Sequence, residues 1–149
     1  MIGAVELSAA LERQLRTEAI SAWPRECCGL IEGTRNNERM RMTALHPMPN
    51  IAELPDRFEI DPAAHIALVR TLRGTDREIV GCYHSHPNGR AEPSERDLAR
   101  ASERDFLWLI CAAKTKTATS IAAFVSTVHS FSQVPIVAAP GRADADGPP

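Results

Sequence analysis

The segment His84-Ser-His-Pro-Asn-Gly-Arg-Ala-Glu-Pro-Ser-Glu-Arg-Asp97 gathers metal-ligating side chains into one short stretch. On an extended chain residues i and i+2 point to the same side, about 6.6 Å apart. His84 and His86 can therefore bring two imidazoles to one ion. Ser94-Glu-Arg-Asp97 has the form of a capping box, which starts a helix at Ser94 and puts Asp97 in its first turn, where the helix dipole favours negative charge. Zinc accepts imidazole nitrogen at about 2.0–2.1 Å and carboxylate oxygen at about 2.0–2.2 Å. Two histidines and a carboxylate form a three-ligand set that leaves a fourth position for water. That is the pattern of a catalytic site, whereas structural zinc sites are usually closed by four protein ligands, often cysteines.

Hydrolysis of an amide also needs a group that takes a proton from water and passes it to the leaving amine. Glu26 is the candidate, because it lies between the end of a first helix and an apolar strand beginning at Cys28. Residue types alone do not choose Glu26 over Glu32, Glu92 or Glu95.

Glu26, then His84-Ser85-His86, seven residues, Ser94, two residues and Asp97 together resemble the signature of the JAMM (MPN-core) zinc metallopeptidases. The His-x-His-x7-Ser-x2-Asp spacing alone should arise by chance in on the order of one in several thousand chains of this length. Pro24 to Ile31, Arg57 to Pro62 and Ile79 to Pro87 are similar to stretches of small stand-alone prokaryotic members. The resemblance implies one Zn2+ per chain on His84, His86 and Asp97. It makes Glu26 the general base and acid, and Ser94 a donor to the tetrahedral oxyanion. The implied substrate is an amide bond after the C-terminal glycine of a ubiquitin-like or sulfur-carrier protein. Two rivals stand beside this reading: a non-catalytic scaffold of the same fold, and an amidase acting on cell-wall peptides, as in phage tails.

The elements that must position these residues are read from periodicity. Ser8 to Ala22 carries Leu11, Leu15 and Ala19 at four-residue spacing and reads as an amphipathic helix capped by Ser8. Cys28–Ile31 and Met40–Leu45 suggest a hairpin, 46–55 a proline-rich loop, and Phe58–Ile60 a short alternating strand. Asp61-Pro62 starts a helix that should run to about Arg73, bury Ile66, Val69 and Leu72, and stop at Gly74. Ile79–Tyr83 reads as a central strand ending in a polar loop from His84. Phe106–Ala112 and Thr119–Ser126 read as two more strands, and Val134–Val137 as an edge strand, since Pro135 cannot donate to a ladder. The expected fold is α/β, a single domain over 1–139 with a mixed sheet packed between helices. A disordered tail over 140–149 follows.

With 149 residues, 44% of them hydrophobic, the chain can fill one core but not two. A net charge of −2 provides no basic field for nucleic acid or anionic lipid. No apolar run approaches the roughly 20 residues a bilayer span needs, so the expected location is the cytoplasm, with the chain acting alone or as a homodimer. Cys27, Cys28, Cys82 and Cys111 lie in or beside apolar runs and read as buried thiols, with a Cys82–Cys111 disulfide as the alternative. His46, His65 and His129 fall outside the motif and receive no role.

Overall fold

The computed structural model describes residues 1–139. Among these, eight strands and three helices follow one another as β1 (Ala4–Leu7), α1 (Ala9–Ala22), β2 (Cys28–Arg35), β3 (Arg39–Met48), α2 (Pro62–Leu72), β4 (Glu78–His86), α3 (Glu95–Arg100), β5 (Phe106–Lys114), β6 (Thr117–Thr127), β7 (Ser130–Val134) and β8 (Ile136–Ala138). The tail expected over 140–149 lies outside the described residues.

The strands form one mixed sheet in the order β7-β6-β5-β4-β2-β3-β1-β8. β4 is central, antiparallel to β2 and parallel to β5. β7 and β8 sit at opposite ends of that order, yet Pro135 alone separates them in sequence. The sheet must therefore curl until its two edges meet at one corner, and Val5 N–H donates to the Pro135 carbonyl there at 3.0 Å. The single edge strand expected over 134–137 is thus split at Pro135, which has no N–H to give a ladder.

α1 covers one face. Its N-cap Ser8 accepts from Leu11 N–H, and Leu15 and Ala19 pack with Ile31, Val80, Tyr83, Leu109 and Cys111. α2 covers the other face, where Leu68 and Leu72 pack with Leu30, Phe58, Cys82, Trp108 and Ile110. Strands buried on both faces read as continuous apolar runs, which is why β4 and β5 were legible. No helix among the described residues is long and apolar enough to cross a membrane.

A bulge in β4 sets the phase of the chemistry. Gly81 pairs with Ile31 and Ile79 with Glu32, so Val80 is an extra residue without a partner on β2. In consequence Val80 and Tyr83, three apart, face α1, while Ile79 and Cys82, also three apart, face α2. Beyond the bulge the period of two resumes, and Cys82, His84 and His86 line the α2 side.

Several sequence expectations need correction. β4 does not end at Tyr83 but runs on to His86, so both histidines stand on a strand rather than in a loop. Phe58–Ile60 is not a strand. It pairs with none of the eight strands; one backbone bond, from Ile51 N–H to the Glu59 carbonyl at 3.0 Å, and two side chains hold it, Arg100 donating to the Phe58 carbonyl and Asn50 accepting from Glu59 N–H. α2 has the expected start, with Asp61 as N-cap and Pro62 in the first turn, but it buries Leu68 and Leu72 and leaves Ile66 and Val69 exposed. The four-residue spacing of the two leucines won over the three-residue spacing of the β-branched residues. β1 was not anticipated; four residues before a helix carry too little alternation. All four cysteines are free and buried, and Cys82 and Cys111 lie on opposite faces of the sheet, which excludes their pairing.

Candidate metal centre

β4 presents His84 and His86 from one face, both buried. The turn after β4 leads to Ser94, whose extended backbone starts α3 as its N-cap. Its hydroxyl oxygen accepts from Asp97 N–H at 3.1 Å, and Ser94 N–H donates to Asp97 Oδ2 at 2.8 Å. This reciprocal box fixes the carboxylate rotamer. Asp97 Oδ2 thereby comes to 3.1 Å from His84 Nε2 and 3.2 Å from His86 Nε2, while the two Nε2 atoms are 2.9 Å apart.

These three atoms converge on one point. Ligand atoms about 2.0–2.1 Å from a tetrahedral ion are separated by about 3.3 Å, so the observed triangle fits a zinc-sized cation after a small expansion. The surroundings fit as well. His86 Nδ1 lies 3.0 Å from the Arg90 carbonyl, which can only accept. Nδ1 therefore carries a proton, so that the ring, once neutral, would present its Nε2 lone pair to an ion at the centre. The His84 ring stacks on Phe58 at 4.4 Å and meets Trp108 edge-on at 6.0 Å. Among the described residues its own Nδ1 is buried without a partner, so aromatic packing rather than a hydrogen bond orients this imidazole.

The electrostatics sort the groups. Burial holds His84 neutral, below the ordinary histidine range. Burial opposes ionisation of Asp97 too, but hydrogen bonds from His84 and His86 outweigh it and hold the carboxyl well below the usual carboxylate range. Burial also works against a charge on His86, and Asp97 more than reverses that effect, raising its pKa.

Glu26 reaches the same site through the sheet. β2 pairs antiparallel with β4 so that Cys28 stands opposite His84. The pairing continues to Cys27, whose N–H donates to Ser85 Oγ at 2.8 Å and whose carbonyl accepts from Ser85 N–H at 3.1 Å. Two residues before Cys28, Glu26 lies on the side of the histidines. Ligating atoms of Glu26, His84 and His86 all lie within 4.8 Å of one another. Glu26 is 6% exposed, and among the described residues its carboxylate accepts no hydrogen bond. Burial pushes this carboxyl up to about 7, with Asp97 and Asp56 adding to the rise against His86 and Arg100.

The alternatives to Glu26 are elsewhere. Glu32 is buried but paired, at 2.9 Å to both Arg77 and His46. Glu92 pairs with Arg90 at the surface, and Glu95 lies exposed in the first turn of α3. Two clefts open onto the site, one of about 520 Å³ bounded by Phe58, Asp97, Arg96 and Arg100, and one of about 320 Å³ bounded by Pro24, Pro55, His86 and Pro87. Glu26 and Ser94 line both. Sequence reasoning missed Phe58 and the Arg90 carbonyl, since neither an apolar residue in a loop nor a backbone oxygen carries a motif.

Fold and site together define a JAB-type domain. The family of prokaryotic homologs of the JAB domain matches residues 8–126, and the chain belongs to it. Among curated relatives, it is 35% identical over 89 residues to a desampylase of Haloferax volcanii, covering 59% of this chain and 63% of that one. It is likewise 35% identical over 98 residues to a probable TtuB-protein conjugate cleaving protease of Thermus thermophilus, covering 63% and 61%. To a CysO-cysteine peptidase of Mycobacterium tuberculosis it is 30% identical over 82 residues, 55% of each chain. The matches thus span 55–63% of these relatives' lengths. A solved structure of a protein from Desulfitobacterium hafniense superposes with a TM-score of 0.79 at 24% identity, covering 91% of this chain and 92% of that one, a likeness of fold.

Proposed function

We propose that this chain is a zinc-dependent peptidase or isopeptidase that hydrolyses the amide bond after the C-terminal glycine of a ubiquitin-like or sulfur-carrier protein. The observation that carries the reading is the meeting of three ligand atoms 2.9–3.2 Å apart with a buried, unpartnered carboxyl whose pKa is about 7. His84 Nε2, His86 Nε2 and Asp97 Oδ2 would hold the ion. Zinc bound there supplies Lewis-acid polarisation and brings water into a reactive range near neutral pH.

The protein's own groups do the rest. Glu26, poised near neutrality, takes a proton from water on its free carboxylate oxygens and returns it to the departing amine. The Ser94 hydroxyl oxygen already accepts from Asp97 N–H, which leaves its proton free to donate to an oxyanion formed in the cleft. The relatives named as a probable TtuB-protein conjugate cleaving protease and a CysO-cysteine peptidase support this substrate class.

The test pairs elemental analysis with cleavage of a panel of carrier conjugates, for wild type, His84→Ala and Asp97→Ala. About one zinc per chain in wild type, lost with turnover in both variants, is expected. Wild type that holds zinc but cuts no conjugate would favour a scaffold, and protein purified with zinc that holds none would remove the metal.

A further inference from the structure

We propose that Asn50 is the positioning residue for Glu26, a single amide that locks the base to the wall of the metal site. A primary amide offers two N–H donors and one oxygen with two lone pairs, and Asn50 uses all four. Its Nδ2 donates to the Glu26 carbonyl and to the Arg57 carbonyl, each at 3.0 Å. Its Oδ1 accepts from Ala52 N–H and Glu59 N–H, again each at 3.0 Å. One side chain therefore ties both arms of the 51–59 loop to the residue that carries the base.

The arms matter because of what they bear. Arg57 precedes Phe58, whose ring stacks on His84, and Ala52 accepts from Arg25, the residue before Glu26, at 2.6 Å. Asn50 thus couples Glu26 to the His84 ring through Arg57 and Phe58, while Ala52 ties the same loop back to the residue before Glu26. No other side chain among the described residues bonds to the Glu26 backbone. Aspartate would keep the two acceptor bonds and lose both donors, putting a charge against two carbonyls; glutamine is one carbon too long for the same four contacts.

The inference rests on the hydrolase reading above, so its test includes measurements that do not depend on turnover. Asn50→Asp and Asn50→Ala are prepared with and without Glu26→Gln, and kcat, KM and zinc content are measured on a carrier conjugate. Amide exchange at Ala52 and Glu59 and the 13C resonance of the Glu26 side-chain carboxyl are followed in chelated protein. Expected are a 10- to 100-fold fall in kcat with KM within threefold and zinc unchanged, no further fall in the Glu26→Gln background, and a shifted carboxyl resonance in both variants. Faster exchange at both amides is expected in Asn50→Ala. A merely structural role would lower stability but leave kcat of the folded protein intact, or lower it equally in both backgrounds; either result overturns the proposal. Unchanged exchange in Asn50→Ala, or an unmoved carboxyl resonance in Asn50→Asp, overturns it as well. Inactive wild type refutes the hydrolase reading instead, and the resonance and exchange data then decide the role of Asn50.

Discussion

Glu26→Gln should make the metal-free protein more stable, and increasingly so as pH rises. Glu26 is buried, accepts no hydrogen bond among the described residues, and its pKa stands at about 7 against an ordinary 4.5. Because the folded value is raised, the folded chain keeps a proton that the unfolded chain has lost, and stability falls as pH climbs from 4.5 through 7. The full penalty above pH 8 is on the order of 3 kcal/mol, of which ~1.4 kcal/mol is already present at pH 5.5. Glutamine cannot ionise, so the stability gap between variant and wild type should widen by ~2 kcal/mol between pH 5.5 and 8.5. For a domain of this size that is roughly 4–8 °C in melting midpoint. The assay is thermal or urea unfolding of chelated wild type and variant at both pH values, followed by circular dichroism. A bound cation stabilises the carboxylate, so adding zinc should narrow the gap, while turnover of the zinc-loaded variant should fall by about 10²–10⁴. A gap that stays constant with pH, or a variant less stable than wild type at pH 8.5, would refute the claim that an uncompensated buried carboxyl is held there.

Ser94→Ala removes the cap of α3 and the free hydroxyl proton together. We expect a loss of about 1 kcal/mol in stability and about 10²–10³ in kcat at near-constant KM; unfolding curves and steady-state kinetics separate the two, and unchanged kcat would confine Ser94 to capping. Phe58→Ala strips the stacked ring from His84 and should weaken zinc binding by about 10–100-fold, read by competition with a chromophoric chelator. Wild-type affinity in that variant would show that the strand alone orients the imidazole.

What the sequence revealed divides along local and non-local lines. The His-x-His pair needs only an extended chain, and the Ser94–Asp97 box needs only one helical turn, so both could be read within fourteen consecutive residues. Glu26 could not be chosen from residue types, because its place depends on β2 pairing with β4 in the register that sets Cys28 opposite His84. Only resemblance to a family singled it out. Asn50 was invisible for another reason: within a proline-rich loop an asparagine reads as turn chemistry, and its four partners lie between 2 and 24 residues away. The face of α2 was misjudged because hydrophobicity says which residues can be buried, while packing against β4 selects which are.

The bulge at Val80 makes the centre of the sheet a parity counter. A strand has two sides, and each residue added or removed moves every later side chain to the opposite one. Val80 is one such added count, and it is what delivers His84 and His86 to the side where Phe58 and Asp97 wait. Length change in this stretch is therefore quantised. Losing one residue between Ile79 and His84 would aim both imidazoles at the α1 core, away from Asp97 and Phe58, whereas the turns beyond the strands can vary by single residues without that reversal. For anyone grafting or trimming this domain, the rule is to edit its connections and leave the count along β4 untouched.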